Sequence, residues 1–258
     1  MLNSLIWSAF AAAAADPRFV YAVGIAVVAG LVRGFTGFGS ALIYMPLMSA
    51  VYDPRLAAAT LLLIDAICSL PISIKLIPQC NWREVAPVSL GGAVGVPFGV
   101  TALVFVNPLI LRWFIATLVL LALAALLSGW RYHGKPTVAA SLGAGALSGF
   151  GGGSVQIGAP PLLVFWLGGN NNAATVRANI MVYFIMQGTL SLALYFYSGL
   201  FDAPVIILSL LTGLPFAFAL WAGAHWFHGT SDALYRRVAY AIIAFAGLAS
   251  LPLFDALR

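Results

Sequence analysis

The chain has 258 residues, of which 62% are hydrophobic and 7% charged, with a net charge of +5. Soluble domains carry roughly 25% charged residues, so this composition excludes a soluble fold and makes lipid the solvent. The positive balance has no basic run and no interleaved aromatics. That pattern fits cytoplasmic loops of a membrane protein and excludes a nucleic-acid partner.

Backbone groups in lipid must be satisfied within helices or a closed barrel. Runs such as Ile115–Leu127 and Leu208–Ala224 are apolar all round, where barrel strands would alternate. An all-α polytopic protein is therefore predicted. The first fifteen residues, ending in Ala11–Ala15, loosely resemble a signal peptide but lack its basic start. A retained segment is expected there, with Trp7 at an interface. Apolar segments then follow over Phe19–Tyr52, Arg55–Ile77, Val85–Val106, Leu109–Gly129, Thr137–Leu167, Ala173–Ser198, Pro204–His225 and Ala233–Phe254. Cys68 and Cys80, the two cysteines, read as packing residues. His225 and His228 lack the further ligands a metal site needs, and Trp82, Trp130, Trp221 and Trp226 form an aromatic belt.

The polar stretch 130–136 divides this single transmembrane domain (1–258) into matching halves, 19–129 and 137–254. Gly37-Phe38-Gly39-Ser40 precedes Pro46 as Gly151-Gly152-Gly153-Ser154 precedes Pro160. Ala58-Ala59-Thr60 matches Ala173-Ala174-Thr175, and Gly95-Val96-Pro97-Phe98-Gly99 matches Gly213-Leu214-Pro215-Phe216-Ala217. Arg112 corresponds to Arg237. Four matches in register predict duplication.

Each half opens on an overlong segment. Phe19–Tyr52 is interrupted by Arg33–Gly39, and Thr137–Leu167 by Ser148–Gly153. The pieces are shorter than a hydrocarbon core of about 30 Å, so each opening is expected to be a Gly-broken helical hairpin followed by three transmembrane helices. The halves are then inverted repeats. That arrangement gathers Lys75, Arg83, Arg131, Lys135, Arg177, Arg236 and Arg237 on one face. Arg18, Arg55, Arg112 and Arg258 fall on the other, so the central linker is expected inside and both termini outside.

The two Gly-rich openings, Gly34–Pro46 and Gly149–Pro160, each heading a half of similar length, resemble those of the sulfite exporter TauE/SafE family, also called toluenesulfonate uptake permeases. The resemblance spans about residues 19–254. Gly149-Phe150-Gly151-Gly152-Gly153-Ser154 is closer to the family pattern, and Phe38 departs from it in the first opening. The resemblance implies transport of sulfite or a small organosulfonate across the cytoplasmic (inner) membrane by a multi-pass protein.

Helix starts at such breaks offer unpaired N–H groups and a positive dipole end to an anion. The expected binding residues are Thr36, Gly37, Gly39 and Ser40 in the first opening, and Gly151, Gly152, Gly153, Ser154 and Gln156 in the second. Close helix packing is the alternative use of these glycines. Arg33, beside the first break, and Arg177, with Asn179 and Gln187 further along, supply the candidate cationic and polar ligands. Asp65 lies in the middle of a span, where a carboxylate is expensive; it is the candidate for proton coupling or gating, the alternative being a structural ion pair or a protonated hydrogen-bond partner to a neighbouring helix. With no nucleophile–base pair and no nucleotide loop, an enzyme is not expected, nor a cofactor or resident metal. A secondary transporter of a small anion, working by alternating access, is the leading reading. An anion channel or uniporter without a coupling ion is the alternative. The lipid bilayer is the expected environment, a proton the candidate coupling ion, and a homo-oligomer is compatible with the sequence.

Overall fold

A computed structural model describes residues 15–36, 39–129, 137–166, 173–226 and 232–251, together with 10 and 13. The described chain is helical throughout: α1 Arg18–Thr36, α2 Ser40–Val51, α3 Pro54–Leu76, α4 Trp82–Phe105, α5 Pro108–Ser128, α6 Val138–Val155, α7 Ala159–Trp166, α8 Ala173–Tyr197, α9 Ala203–Trp226 and α10 Asp232–Ala249. Within these helices, Pro54–Pro71, Trp82–Phe105, Pro108–Ser128, Ala174–Tyr197 and Ala203–His225 are long and apolar enough to cross a membrane. The protein is thus an all-α, multi-spanning membrane protein. The expected N-terminal segment with Trp7, the linker 130–136, and Gly37, Phe38 and His228 lie outside the described residues.

Helix boundaries follow local chemistry. Asp53 accepts from the Arg55 amide at 2.8 Å, and Asn107 from the Leu109 amide at 2.8 Å, each with proline as the next residue. A capping side chain satisfies an orphan N–H, and proline at the first helical position lacks that N–H anyway. Thr137 caps α6 and Asp202 caps α9 in the same manner. At the other end of α4, the Arg55 guanidinium donates to the carbonyls of Leu103, Val104 and Val106. Those carbonyls would otherwise lack partners in lipid.

Glycine sets the closest packing. A Cβ on Gly91, Gly95 or Gly99 of α4 would run into the backbone carbonyl of Leu142, Ala146 or Phe150 on α6. The same holds in reverse for Gly145, Gly149 and Gly153 of α6 against Val88, Gly92 and Val96. Both helices carry glycine at every fourth position across this seam, so their backbones touch. A second seam joins α1 and α9, where Gly30 and Gly34 face Phe216 and Leu220, and Gly223 faces Leu31. Without a hydrophobic driving force between helices in lipid, such backbone contact is a main source of association. Each seam pairs the first helix of one half of the chain with the penultimate helix of the other.

The second opening differs from expectation. Ser148–Gly153 is continuous helix within α6, and the chain breaks later, at Gln156–Gly158. The physical reason is the seam, because Gly149 and Gly153 are held against α4 in regular helical register. Ser154 therefore does not begin a half-helix. It lies near the C-terminal end of α6, and its hydroxyl donates to the Phe150 carbonyl at 2.6 Å. In the first opening Arg33–Thr36 is likewise helix, the end of α1, and α2 begins at Ser40 after Gly39 at φ 99°. Only glycine adopts that conformation without strain.

Several contacts fix which helix ends share a level. The Arg18 guanidinium lies 4.8 Å from the centroid of the Tyr52 ring, so the start of α1 meets the end of α2. Ser73, late in α3, donates to the Met181 sulfur, early in α8, at 3.7 Å. Near the start of α4, the Asn81 amide donates to Asn179 Oδ1 at 2.8 Å. Arg112, at the start of α5, reaches the carbonyl of Ser250, just past the end of α10.

Candidate functional site

The elements line a partly open cavity of about 210 Å³. Its wall is mostly apolar, with Leu61, Leu62, Val96, Ile157 and Leu192 among the lining residues. Set into it are the start of α2 (Gly39, Ser40), the middle of α3 (Asp65, Ser69, Ser73), the α6–α7 turn (Ser148, Gly152, Gln156) and one face of α8 (Tyr183, Gln187, Ser191). The starts of both short helices, Ser40 of α2 and Ala159 of α7, lie on this one cavity.

The polar centre is Arg33, which is only 8% exposed. Its Nη2 pairs with Asp65 Oδ2 at 2.8 Å. Nε and Nη2 both donate to Ser69 Oγ, at 3.1 and 2.7 Å, and Nη1 donates to Ser40 Oγ at 3.3 Å. Ser69 in turn donates to Asp65 Oδ1 at 3.3 Å. A planar guanidinium suits this forked set, and a charge in the membrane interior needs such partners. The Asp65 side chain is 27% exposed, against 9% for that of Arg33, so the carboxylate is the more open member of the pair.

Gln156 sits at φ 59° and is the non-glycine residue with positive φ among the described residues. Its Nε2 donates to the Tyr195 hydroxyl at 3.1 Å, and that hydroxyl donates to the Gly153 carbonyl at 2.9 Å. This pair of bonds holds the α6–α7 turn to α8. Strain of this kind concentrates at ligand clamps and switches.

The structure thus brings Arg33, Gly39, Ser40, Asp65, Gly152 and Gln156 to one cavity. Among the described residues, Gly151, Gly153, Ser154, Arg177 and Asn179 do not line it. Arg177 is exposed. Asn179 is fully buried, and its Nδ2 donates to Glu84 Oε2 at 3.1 Å, tying α8 to the start of α4. Gly153 packs in the α4 seam, and a Cβ on Gly151 would strike the Ile157 carbonyl. Thr36 ends α1 without a described side chain, and Gly37 lies outside the described residues. Sequence reading missed Ser69, although its place four residues after Asp65 puts the two on one helix face. It also passed over Ser148, whose hydroxyl donates to the Gly158 carbonyl at 2.6 Å. Among the described residues no group of three His, Cys, Asp or Glu side chains stands ready for a metal ion.

The family model for the sulfite exporter TauE/SafE matches residues 22–250. The chain belongs to this family. The match runs from α1 to the end of α10 and so includes every residue of the cavity. Proteins of this family are membrane transporters, not enzymes, and are associated with sulfite and anion export. As a multi-pass member, this chain fits the inner membrane. No curated protein and no solved structure gave a match.

Proposed function

We propose that this family member is a secondary transporter that carries a small anion, sulfite or a small organosulfonate, through the Arg33 cavity by alternating access. The observation that carries the reading is the Arg33–Asp65 pair at 2.8 Å, set in a mostly apolar cavity lined by both halves of the chain. Arg33 supplies the counter-charge and Ser40 and Ser69 supply hydroxyls, while Gly39 lets the backbone of α2 come close. Gly152 and Gln156, at the α6–α7 turn, line the same cavity.

The pair also supplies a coupling mechanism. While Asp65 is ionised it neutralises Arg33, and an arriving anion must compete with it. A proton on Asp65 frees the guanidinium for the anion. The two ligands then bind together and leave together, which is symport of a proton with an anion. Buried charges are tolerated only when paired, so exchanging one counter-charge for another at Arg33 keeps the cavity neutral in both states.

Inverted repeats fit the same reading. Their support comes from the contacts that match helix ends. Arg18 beside Tyr52 agrees with α1 and α2 entering and returning on one side. Ser73 beside Met181 agrees with α3 and α8 running antiparallel, as the third elements of inverted halves would. Asn81 beside Asn179 agrees with α4 and α8 starting on the same side. The exchanged seams, α1 with α9 and α4 with α6, are related as a two-fold axis would relate them. In such folds the substrate sits at the repeat interface near mid-depth.

The test is a thermal-shift titration of the purified protein with sulfite, short alkanesulfonates and carboxylates, in the wild type and in Arg33→Gln. Stabilisation by at least one sulfur oxyanion, lost in Arg33→Gln, is expected. No stabilisation by any of them, or equal stabilisation of the variant, removes the assignment.

A further inference from the structure

Nine of the tethers already described, with those of α8, sort the helices around the cavity into two bundles, and neither bundle coincides with the chain before or after residues 130–136. In the first, the glycine seam holds α1 against α9. Arg33 of α1 then ties α2 through Ser40, and α3 through Ser69 and Asp65. In the second, the other seam holds α6 against α4. Ser148 of α6 secures the approach to α7 through the Gly158 carbonyl.

A polar stripe bolts α8 to the second bundle. Asn179, Tyr183, Gln187 and Tyr195 stand four or eight residues apart, which places them along one ridge of the helix surface. Asn179 Nδ2 donates to Glu84 of α4 at 3.1 Å, and Gln187 Nε2 to the Ser89 carbonyl of α4 at 3.0 Å. The Tyr183 and Tyr195 hydroxyls donate to the Gly145 and Gly153 carbonyls of α6, at 3.1 and 2.9 Å. These bonds are spread over about 24 Å of helix. Lipid offers no replacement for a broken one, so the stripe resists sliding.

Hydrogen bonds cross between the bundles at the two ends of α3. At its start, the Arg55 guanidinium donates to the carbonyls of Leu103, Val104 and Val106 around the end of α4. Near its end, Ser73 donates to the Met181 sulfur of α8 at 3.7 Å. A thioether is a weak acceptor, whereas a guanidinium makes strong bonds. Between these ends Leu61 and Ile64 of α3 share an apolar core with Val96 and Val100 of α4, and apolar packing has no fixed direction. The cavity lies on this parting: Arg33, Ser40 and Asp65 line it from the first bundle, and Gly152, Gln156 and Ser191 from the second.

Resting on the alternating-access reading above, we infer that α1, α2, α3 and α9 move as one rigid body against α4, α6, α7 and α8, and that the parting opens at the Ser73 end of α3. Each body draws helices from both halves of the chain, so the halves themselves are not the moving parts. Rigid-body displacement about an interface is a common form of switching, because packed contacts hold two arrangements rather than deform continuously. Here the directional bonds lie within the bodies, and the weakest tie lies across them.

Double electron–electron resonance on the full chain in lipid nanodiscs tests this, with Cys68 and Cys80 replaced by serine. Nitroxide labels go to exposed positions off the cavity. Val20→Cys with Phe218→Cys reports within the first body, and Val138→Cys with Phe196→Cys within the second. Ile74→Cys with Val138→Cys reports across the parting at the Ser73 end. Distances are read without solute and with saturating sulfite, and sulfite uptake into proteoliposomes is followed for each labelled protein. The crossing distance is expected to shift by about 5 Å, one helical turn, while both internal distances hold within about 2 Å. An internal distance that moves as far as the crossing one overturns the inference. Sulfite uptake with all three distances unchanged also overturns it. A crossing shift on its own, in protein that takes up no sulfite, would keep the two bodies and remove the anion assignment. With neither shift nor uptake, both fail.

Discussion

The two Gly-rich openings look alike in sequence and are put to different uses. In the first, the glycine at the break adopts φ 99° and lets α2 start beside a buried arginine. In the second, Gly149 and Gly153 never leave the helix, and serve as the contact surface of α6 against α4. The break there moves on to Gln156, and α7 begins at Ala159 with Pro160 as its second residue. Proline removes one of the free amides that a helix start would offer an anion. The charge and the donors therefore gather on the first opening, and the second supplies rigid packing and a strained turn. A glycine becomes a backbone hinge or a packing surface according to the neighbour it meets.

Substitutions that act on one opening but not the other sharpen this contrast. Arg33→Gln is expected to abolish anion flux into proteoliposomes, because it removes the counter-charge and leaves Asp65 without its ion pair. Retention of more than a small fraction of wild-type flux would break the contrast on its first side. Gly149→Val should act on stability. A Cβ there would lie 2.5 Å from the Gly92 carbonyl oxygen, and backbone cannot step aside as a side chain can. A loss of about 3 kcal/mol in denaturant unfolding is expected, and an unchanged midpoint would show that the seam is not as tight as drawn. Gly152→Ala, three residues on, meets its nearest neighbour only at 4.0 Å and faces the cavity. Stability within about 0.5 kcal/mol of wild type but a weakened anion affinity is expected, measured by unfolding and titration on the same preparation. The smallest effect belongs to Arg177→Ala. Its exposed side chain is off the cavity, and flux should change less than about twofold, since surface changes are usually near neutral.

Much of the fold was legible because lipid leaves the chain few choices. Five of the expected apolar segments appear as spanning helices, with Asp53, Asn81, Asn107 and Asp202 capping where hydropathy changes. The lone carboxylate Asp65 and the arginine at the first break stood out by their rarity in an apolar run, and they meet in space. What was not legible depended on partners distant in sequence. Asn179 was expected to share a central cavity with Asp65, yet it faces Glu84 and Asn81 rather than the cavity. The fourfold glycine spacing of Gly145, Gly149 and Gly153 matched that of Gly91, Gly95 and Gly99. Two such stripes are the sign of a seam, and reading them together would have kept α6 whole. Ser69 was hidden for a simpler reason, since serine is common in membrane helices and its role depends on the arginine it meets.

The central claim is that an anion and a proton exchange places around the Arg33–Asp65 pair. It is tested most directly by imposing an alkaline interior on proteoliposomes and following sulfite accumulation in the wild type and in Asp65→Asn. The wild type should concentrate the anion against its gradient until the pH difference collapses. Asp65→Asn should allow only downhill flux that ignores the pH difference. Accumulation by Asp65→Asn equal to that of the wild type, or a wild type that never concentrates the anion, would contradict the account and leave an uncoupled anion pathway in its place.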